Sequence, residues 1–143
     1  MILVVNGPNL NLLGERKPEV YGSKGLDSVE ESLTKLAGDL DVELTFFQSN
    51  HEGEIIDFLH DQRAQGEGVL INPGALTHYS YSLRDALESI DLPVVEVHIS
   101  DIENRESFRQ KSVIESIAVD RIIGLGLEGY EVGLKRLVSH LRS

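Results

Sequence analysis

The residue types that could carry chemistry in this sequence lie in polar loops that follow short apolar runs. The loop NGPNLNLLGERKPEVYG follows the run ILVV and contains Arg16 and Tyr21, and His98 stands near the end of the run PVVEVHI. A tyrosine serves as a base when its pKa falls from about 10 toward 7, which requires roughly 4 kcal/mol of preferential stabilisation of the tyrosinate. Partly desolvated arginines supply such stabilisation, and a histidine is a natural proton donor near neutral pH. These residues indicate acid–base catalysis. The alternatives are a rim tyrosine for Tyr21 and a core histidine for His98.

Two further features indicate a small anionic substrate. Arg105 and Arg109 are four residues apart, a spacing that places both on one side of a helical turn. The segment NPGALTH, residues 72–78, has a Pro-Gly turn. The amides that follow it, at the start of a helix, form an anion site. For the two arginines, a solvated helix face is the alternative interpretation.

Other kinds of site fit the sequence less well. Glu96 and His98 share one face of their strand and His78 could approach them, but no H-E-x-x-H motif supports zinc, and a carboxylate beside a histidine more often orients it. The segment GLGLEG, residues 124–129, matches G-x-G-x-x-G, yet the chain that follows it holds one helix and no further strand, so we interpret it as a tight turn. There is no G-x-S-x-G motif and no cysteine nucleophile. We therefore expect neither a metal nor an organic cofactor.

The composition narrows the class of protein. The chain has 143 residues, 41% of them hydrophobic, which is typical of a single globular domain, here residues 1–143. Its formal charge is −11, from 24 acidic and 13 basic residues, and such a balance disfavours nucleic acid and anionic membranes as partners. No basic region precedes the first apolar run, and no run approaches the ~20 residues of a membrane helix. We expect a cytoplasmic protein.

Strand-like and helix-like segments alternate along the chain. Helical spacing runs from Val29 to Leu40 and from Tyr130 to Leu141, and Ser28 with Glu31 forms a plausible capping box for the first of these helices. Three more helical segments are EIIDFLHDQRAQ, YSLRDALESI and the shorter RESFRQKS. The five predicted strands are Ile2 to Asn6, Val42 to Gln48, Gly68 to Asn72, Pro93 to Ile99 and Asp120 to Gly126.

This alternation predicts an α/β fold. The apolar runs are too continuous for a half-exposed sheet, so we expect a five-stranded parallel sheet with helices on both faces, a flavodoxin-like three-layer sandwich of strand order 2-1-3-4-5. In that order the loops after strands 1, 3 and 4 are neighbours at the carboxyl edge of the sheet, where ligands of such folds bind. The three polar loops would then form one crevice.

The same three loops closely resemble those of the type II 3-dehydroquinate dehydratases. The segments that carry the resemblance are NGPNLNLLGERKPEVYG, NPGALTHYSYSLRDAL and EVHISDIENRESFR, and the terminal GLGLEGYEVGLKRL also looks like that family. The resemblance runs over essentially the whole chain in the same order. It implies a flavodoxin-like enzyme of the shikimate pathway that dehydrates 3-dehydroquinate to 3-dehydroshikimate without a metal or organic cofactor.

The resemblance also implies roles for individual residues. Tyr21, as tyrosinate, would abstract the C2 proton, with Arg16 lowering its pKa, and an enolate would form beside a water held near Asn9. His98 would protonate the departing C1 hydroxyl, and Glu96 would orient or tune it. Arg109 would hold the substrate carboxylate, and Asp85 would act across a subunit interface in a dodecamer built from trimers. The substrate-binding positions of the family correspond here to Asn72, His78, Asp85, Ile99, Ser100 and Arg109.

Two departures from the family pattern stand out. Lys17 occupies the place of a glutamate that is common between the loop arginine and the proline, and Glu103-Asn104-Arg105 replaces a frequent His-Ala-Arg. Neither removes a catalytic group. The main rival class is a flavodoxin-like receiver or nucleotide-sensing module, but a receiver needs clustered acidic residues at the end of strand 1, where this chain has Asn6.

Overall fold

The structure, a computed structural model, describes residues 1–15 and 24–143. Its centre is a five-stranded parallel sheet in the order β2-β1-β3-β4-β5, which confirms the predicted order and the flavodoxin-like architecture. The strands are β1 (Ile2–Asn6), β2 (Leu44–Gln48), β3 (Gly68–Asn72), β4 (Val94–His98) and β5 (Asp120–Ile123). The predicted β2 begins two residues too early, the predicted β4 is one residue too long at each end, and the predicted β5 ends three residues too late.

The described part of the chain contains five α-helices, and the four longer ones cover the two faces of the sheet. They are α1 (Leu26–Leu40), α2 (Glu52–Gln62), α3 (Tyr81–Ile90), α4 (Ser107–Gln110) and α5 (Glu128–Leu141). Helices α1 and α5 pack on one face, where Leu33 and Leu134 are fully buried. Helices α2 and α3 pack on the other, where Leu59 and Leu83 are fully buried. The result is a three-layer sandwich.

The strands are buried on both faces because their side chains alternate between two apolar cores. In β1, Leu3 and Val5 belong to the α2–α3 side, while Ile2 and Val4 belong to the α1–α5 side. The pairing register places Asn6 beside Asn72 at the ends of β1 and β3. The polar residues therefore begin at the same level of the sheet where the apolar strands end, and the loops that follow start from one edge.

Three predictions about helices were wrong in detail. The segment EIIDFLHDQRAQ, residues 54–65, is one of them, because α2 begins at Glu52 and ends at Gln62. Helix α1 begins at Leu26 with Gly25 as its N-cap, so Ser28 lies inside the first turn and does not cap it. The helix predicted over RESFRQKS is a single turn, Ser107–Gln110. None of the helices in the described part of the chain is both long and apolar enough to cross a membrane.

Candidate active site

A cavity of about 350 Å³ opens at the carboxyl edge of the sheet, where the loops after β1, β3 and β4 meet. This is the convergence that the strand order predicts. The cavity is lined by Pro8, Asn9, Leu10, Leu13, Asn72, Gly74, Ala75, His78, His98, Ile99, Ser100, Ile102, Arg105 and Arg109.

The loop after β1 is held against the loop after β3 by backbone contacts. The Gly7 N–H donates to the carbonyl of Asn72 at 2.8 Å, and a Cβ at Gly7 would lie 2.4 Å from the carbonyl oxygen of Pro73, so only glycine allows this approach. Asn9 adopts a left-handed conformation with φ of 72°, which asparagine tolerates well. Its N–H donates to Asn50 Oδ1 at 2.8 Å. These contacts place Asn9 in the cavity wall.

His98 and Glu96 form a buried pair at the end of β4. Strand alternation puts both side chains on one face, and His98 Nε2 lies 2.5 Å from Glu96 Oε2. Glu96 is fully buried and His98 is 5% exposed. Because a carboxylate can only accept, Nε2 carries the proton of this hydrogen bond, and Nδ1 is the nitrogen left for a ligand.

Two hydroxyl groups also hydrogen-bond the Glu96 carboxylate, and one of them shares Oε2 with His98. Thr77 Oγ1 donates to Oε2 at 2.5 Å, and Ser112 Oγ lies 3.0 and 2.9 Å from the two carboxylate oxygens. Burial acts to raise the pKa of Glu96, but the hydrogen bond and charge of His98 and the bonds from Thr77 and Ser112 together hold that pKa below its usual range. Glu96 is therefore a carboxylate at neutral pH and accepts the hydrogen bond from His98.

Replacing Thr77 with valine should destabilise the protein by about 2 kcal/mol near neutral pH, because a hydrogen bond to a buried charge is lost. Hydrogen bonds to the charged carboxylate lower its pKa in the folded state. Their contribution to the free energy of unfolding is therefore present above the pKa of the unfolded state and is lost as the pH falls through the pKa of the folded state. The difference in the free energy of unfolding between wild type and variant should thus become smaller below pH 4.5, the ordinary pKa of a glutamate. Urea unfolding from neutral to acid pH measures it.

The matched control for this prediction is Thr45→Val. Thr45 Oγ1 contacts the neutral sulfur of Met1, so the same deletion there removes no bond to a charge. Its cost should not follow the titration of a carboxylate. A Thr77→Val cost that stayed constant down to acid pH would contradict the role assigned to this hydroxyl.

His78, Arg105 and Arg109 complete the polar side of the cavity. His78 Nδ1 donates to the carbonyl of Lys111 at 2.7 Å, which leaves Nε2 to accept from a ligand hydroxyl. Arg109 stacks over the ring of Phe108, 4.8 Å from the ring centre, and its Nε lies 2.5 Å from Glu106 Oε2. These groups give an acidic protein one local site suited to a small anion that carries hydroxyl groups.

The GLGLEG segment serves the loop after β4. The N–H of Gly124 donates to the carbonyl of His98 at 3.2 Å, and that of Gly126 donates to the carbonyl of Ile99 at 3.0 Å. Both glycines have positive φ, 75° and 64°, which explains why glycine occurs at these positions. The segment is a tight turn, as predicted from the sequence, and its two hydrogen bonds anchor the cavity wall.

The structure brings most of the predicted site residues together. Asp85 lies apart, on the exposed face of α3, and Arg16 and Tyr21 lie outside the described residues. Glu96 sits directly behind His98. The predicted residues that line the cavity are Asn9, Asn72, His78, His98, Ile99, Ser100 and Arg109.

Sequence reasoning missed the supporting polar groups Thr77 and Ser112, and it also missed the polar role of Tyr130. Their partners are distant in sequence, and nothing in the local pattern distinguishes them from ordinary loop hydroxyls or a core aromatic. Within the described ranges 1–15 and 24–143, no three side chains of metal-ligating type cluster closely enough to hold an ion.

Comparison with known proteins places the chain. The family model described as "Dehydroquinase class II" matches residues 1–138. A relative from Halothermothrix orenii, named 3-dehydroquinate dehydratase, is 56% identical over 141 residues, 99% of this chain and 95% of that protein. The 3-dehydroquinate dehydratase of Bacillus subtilis strain 168 is 53% identical over 137 residues, 96% of this chain and 93% of that protein.

Solved structures agree with the sequence comparison. The type II dehydroquinase from Butyrivibrio crossotus superposes with a TM-score of 0.91 at 42% identity, covering 99% of this chain and 97% of that one. The type II dehydroquinase from Propionibacterium acnes gives a TM-score of 0.90 at 38% identity, covering 96% and 95%. With its sequence matched almost from end to end and its fold shared with these enzymes, the chain belongs to the class II dehydroquinase family.

Proposed function

We propose that this chain is a 3-dehydroquinate dehydratase, a hydro-lyase that eliminates water from 3-dehydroquinate to give 3-dehydroshikimate. The observation that carries the proposal is the His98–Glu96 pair at the wall of a cavity that also holds Arg105 and Arg109. The names of relatives more than 50% identical over nearly the whole chain support the same substrate.

Eliminating water needs a proton donor at the leaving hydroxyl, and His98 suits that task. Its Nε2–H is held by Glu96, so the proton passed to the substrate leaves from Nδ1 of the imidazolium. The Glu96 carboxylate, kept ionised by His98, Thr77 and Ser112, stabilises the imidazolium before the transfer. His98 is thus the general acid for the C1 hydroxyl, and Glu96 orients its imidazole ring.

Binding of the substrate carboxylate is assigned to Arg109, with Ile99 and Ser100 beside it in the cavity wall. A guanidinium suits a carboxylate because its planar donors match the two oxygens. His78 and Asn72 line the same cavity, and His78 Nε2 and the Asn72 amide are available to hydrogen-bond the substrate hydroxyl groups. This arrangement fits a hydroxylated carboxylic acid.

The base is assigned to Tyr21, with Arg16 stabilising its tyrosinate. Both belong to residues 16–23, which follow the cavity-lining Leu13 by a few positions in the chain. Tyr21 removes the C2 proton, and the enolate that forms is stabilised by a water beside Asn9. The assignment rests on the family motif, in which these two residues share one loop.

We also propose that the enzyme acts in the cytoplasm in the shikimate pathway, as a dodecamer that is built from trimers. The support within the chain is Asp85, a substrate-binding position of the family that lies on the exposed face of α3 and does not line this chain's own cavity. Such a residue reaches a substrate only in a neighbouring subunit's cavity.

The test is an absorbance assay for the conjugated enone that dehydration creates. Purified protein given 3-dehydroquinate should produce the ultraviolet absorbance of 3-dehydroshikimate, and exhaustive chelation should leave the rate unchanged because the acid and base are side chains. Borohydride added with substrate should leave the protein unlabelled, since no Schiff-base lysine takes part. Absence of enone, or a rate lost on chelation and restored by a metal ion, would overturn the proposal.

A further inference from the structure

A buried chain of two hydrogen bonds links the ends of β1 and β3 to helix α5. The Tyr130 hydroxyl lies 2.5 Å from Asn6 Oδ1 and 3.0 Å from Asn72 Nδ2. Asn6 and Tyr130 are each 1% exposed and Asn72 is 3% exposed. Of the three, only Asn72 reaches the cavity wall. The two hydrogen bonds therefore connect the core of the α1–α5 layer to the cavity wall.

The donor and acceptor groups of these three side chains fix the direction of both hydrogen bonds. Asn6 Oδ1 can only accept, so the Tyr130 O–H donates to it, and the Tyr130 oxygen accepts from Asn72 Nδ2. At the other end of the same amide, Asn72 Oδ1 accepts from the Gly74 N–H at 3.1 Å. The Asn72 amide is thus held at both its nitrogen and its oxygen, and neither contact survives if it turns over.

The second N–H of the Asn72 amide has no partner among the described residues. We propose that Tyr130 is a positioning residue, which holds the Asn72 amide in the orientation that presents this N–H to an oxygen of the substrate. The inference rests on the proposed function, because the substrate is the 3-dehydroquinate assigned to this cavity. It adds a residue of α5, outside all three loops, to the binding of substrate.

Tyr130 is not a second base. Burial raises the pKa of its phenol far above the ordinary value, and its proton is already committed to Asn6. The hydroxyl therefore stays protonated near neutral pH, where it donates one hydrogen bond and accepts another. Its influence on the substrate passes only through Asn72.

The test is the variant Tyr130→Phe, which keeps the ring and removes the hydroxyl. With Asn72 Nδ2 released, the amide can turn, and KM for 3-dehydroquinate should rise by about tenfold, the loss expected for one hydrogen bond of about 1.4 kcal/mol. The kcat should stay within about threefold of wild type, because a binding contact and not the acid or base is affected. Tyr79→Phe, the same deletion at an exposed tyrosine, should leave both constants unchanged.

A double-mutant cycle separates positioning from general destabilisation. In an Asn72→Ala background, Tyr130→Phe should have no further effect on KM, because the amide on which it acts is gone. A purely structural role would lower activity equally in both backgrounds and would overturn the inference, as would an unchanged KM in Tyr130→Phe. An inactive wild type would instead contradict the proposed function.

Should Tyr130→Phe fail to fold, Asn6→Ala provides the second variant. Without Asn6 Oδ1 the Tyr130 O–H has lost its acceptor, so its proton can turn toward the Asn72 NH₂ group. The two donors then compete for the space between them. KM should rise in the same direction, and again only when Asn72 is present. A KM increase that persisted in the Asn72→Ala background would contradict the inference.

Discussion

Tyr21→Phe is expected to abolish nearly all turnover of 3-dehydroquinate while substrate binding largely survives. The substitution removes the group that we propose as acceptor of the C2 proton, and it leaves Arg109, His78 and Asn72 in the cavity lining. General base catalysis contributes roughly 10²–10⁴-fold to a rate, so kcat should fall by about that factor. Enone absorbance measures kcat, and calorimetry with substrate measures binding.

The control for this variant is Tyr79→Phe, which removes a phenol from an exposed position outside the cavity lining. It should keep the wild-type rate. If Tyr21→Phe dehydrates 3-dehydroquinate at a rate near that of wild type, Tyr21 is not the base. A loss of binding equal to the loss of rate would instead indicate that Tyr21 mainly holds the substrate.

The position of the cavity was predictable from the sequence because strand order decides which loops meet. Apolar runs such as ILVVN and GVLIN show where strands end, and short right-handed crossovers make neighbours of the loops after β1, β3 and β4. Strand alternation alone places Glu96 and His98 on one face. These are local rules, so one sequence suffices to apply them.

The supporting contacts were not predictable because they join residues that are far apart in the chain. Thr77 and Glu96 are separated by 19 positions, and Asn6 and Tyr130 by 124. A threonine in a loop or a tyrosine in an amphipathic stripe fits the local pattern without any such partner. Only the packed sheet determines that the Tyr130 hydroxyl reaches the ends of β1 and β3.

Local errors have local causes. Ser28 followed by Glu31 has the form of a capping box, but the extended Gly25 already caps α1, because glycine is itself an acceptable N-cap. The GLGLEG segment has the form of a nucleotide motif, but its amides donate to the carbonyls of His98 and Ile99. In both cases a motif matched by letters, and the backbone geometry decided its role.

His98→Asn should reduce dehydration by roughly 10²–10⁴-fold, since it removes the general acid that we propose for the C1 hydroxyl. Glu96→Gln should have a smaller effect on the rate, because the imidazole stays in place but its counter-charge is lost. His60→Gln, at an exposed position of α2, is the matched control and should leave the rate unchanged.

The order of the two proton transfers gives His98→Asn a signature that Tyr21→Phe cannot share. If Tyr21 forms the enolate before His98 acts, then His98→Asn should still exchange the C2 hydrogen of 3-dehydroquinate for deuterium from solvent, although it dehydrates little. In Tyr21→Phe, both exchange and dehydration should stop, because no enolate forms. Proton NMR in deuterium oxide follows the exchange directly. Loss of exchange in His98→Asn would mean that acid and base act in one concerted step, since each transfer would then need the other.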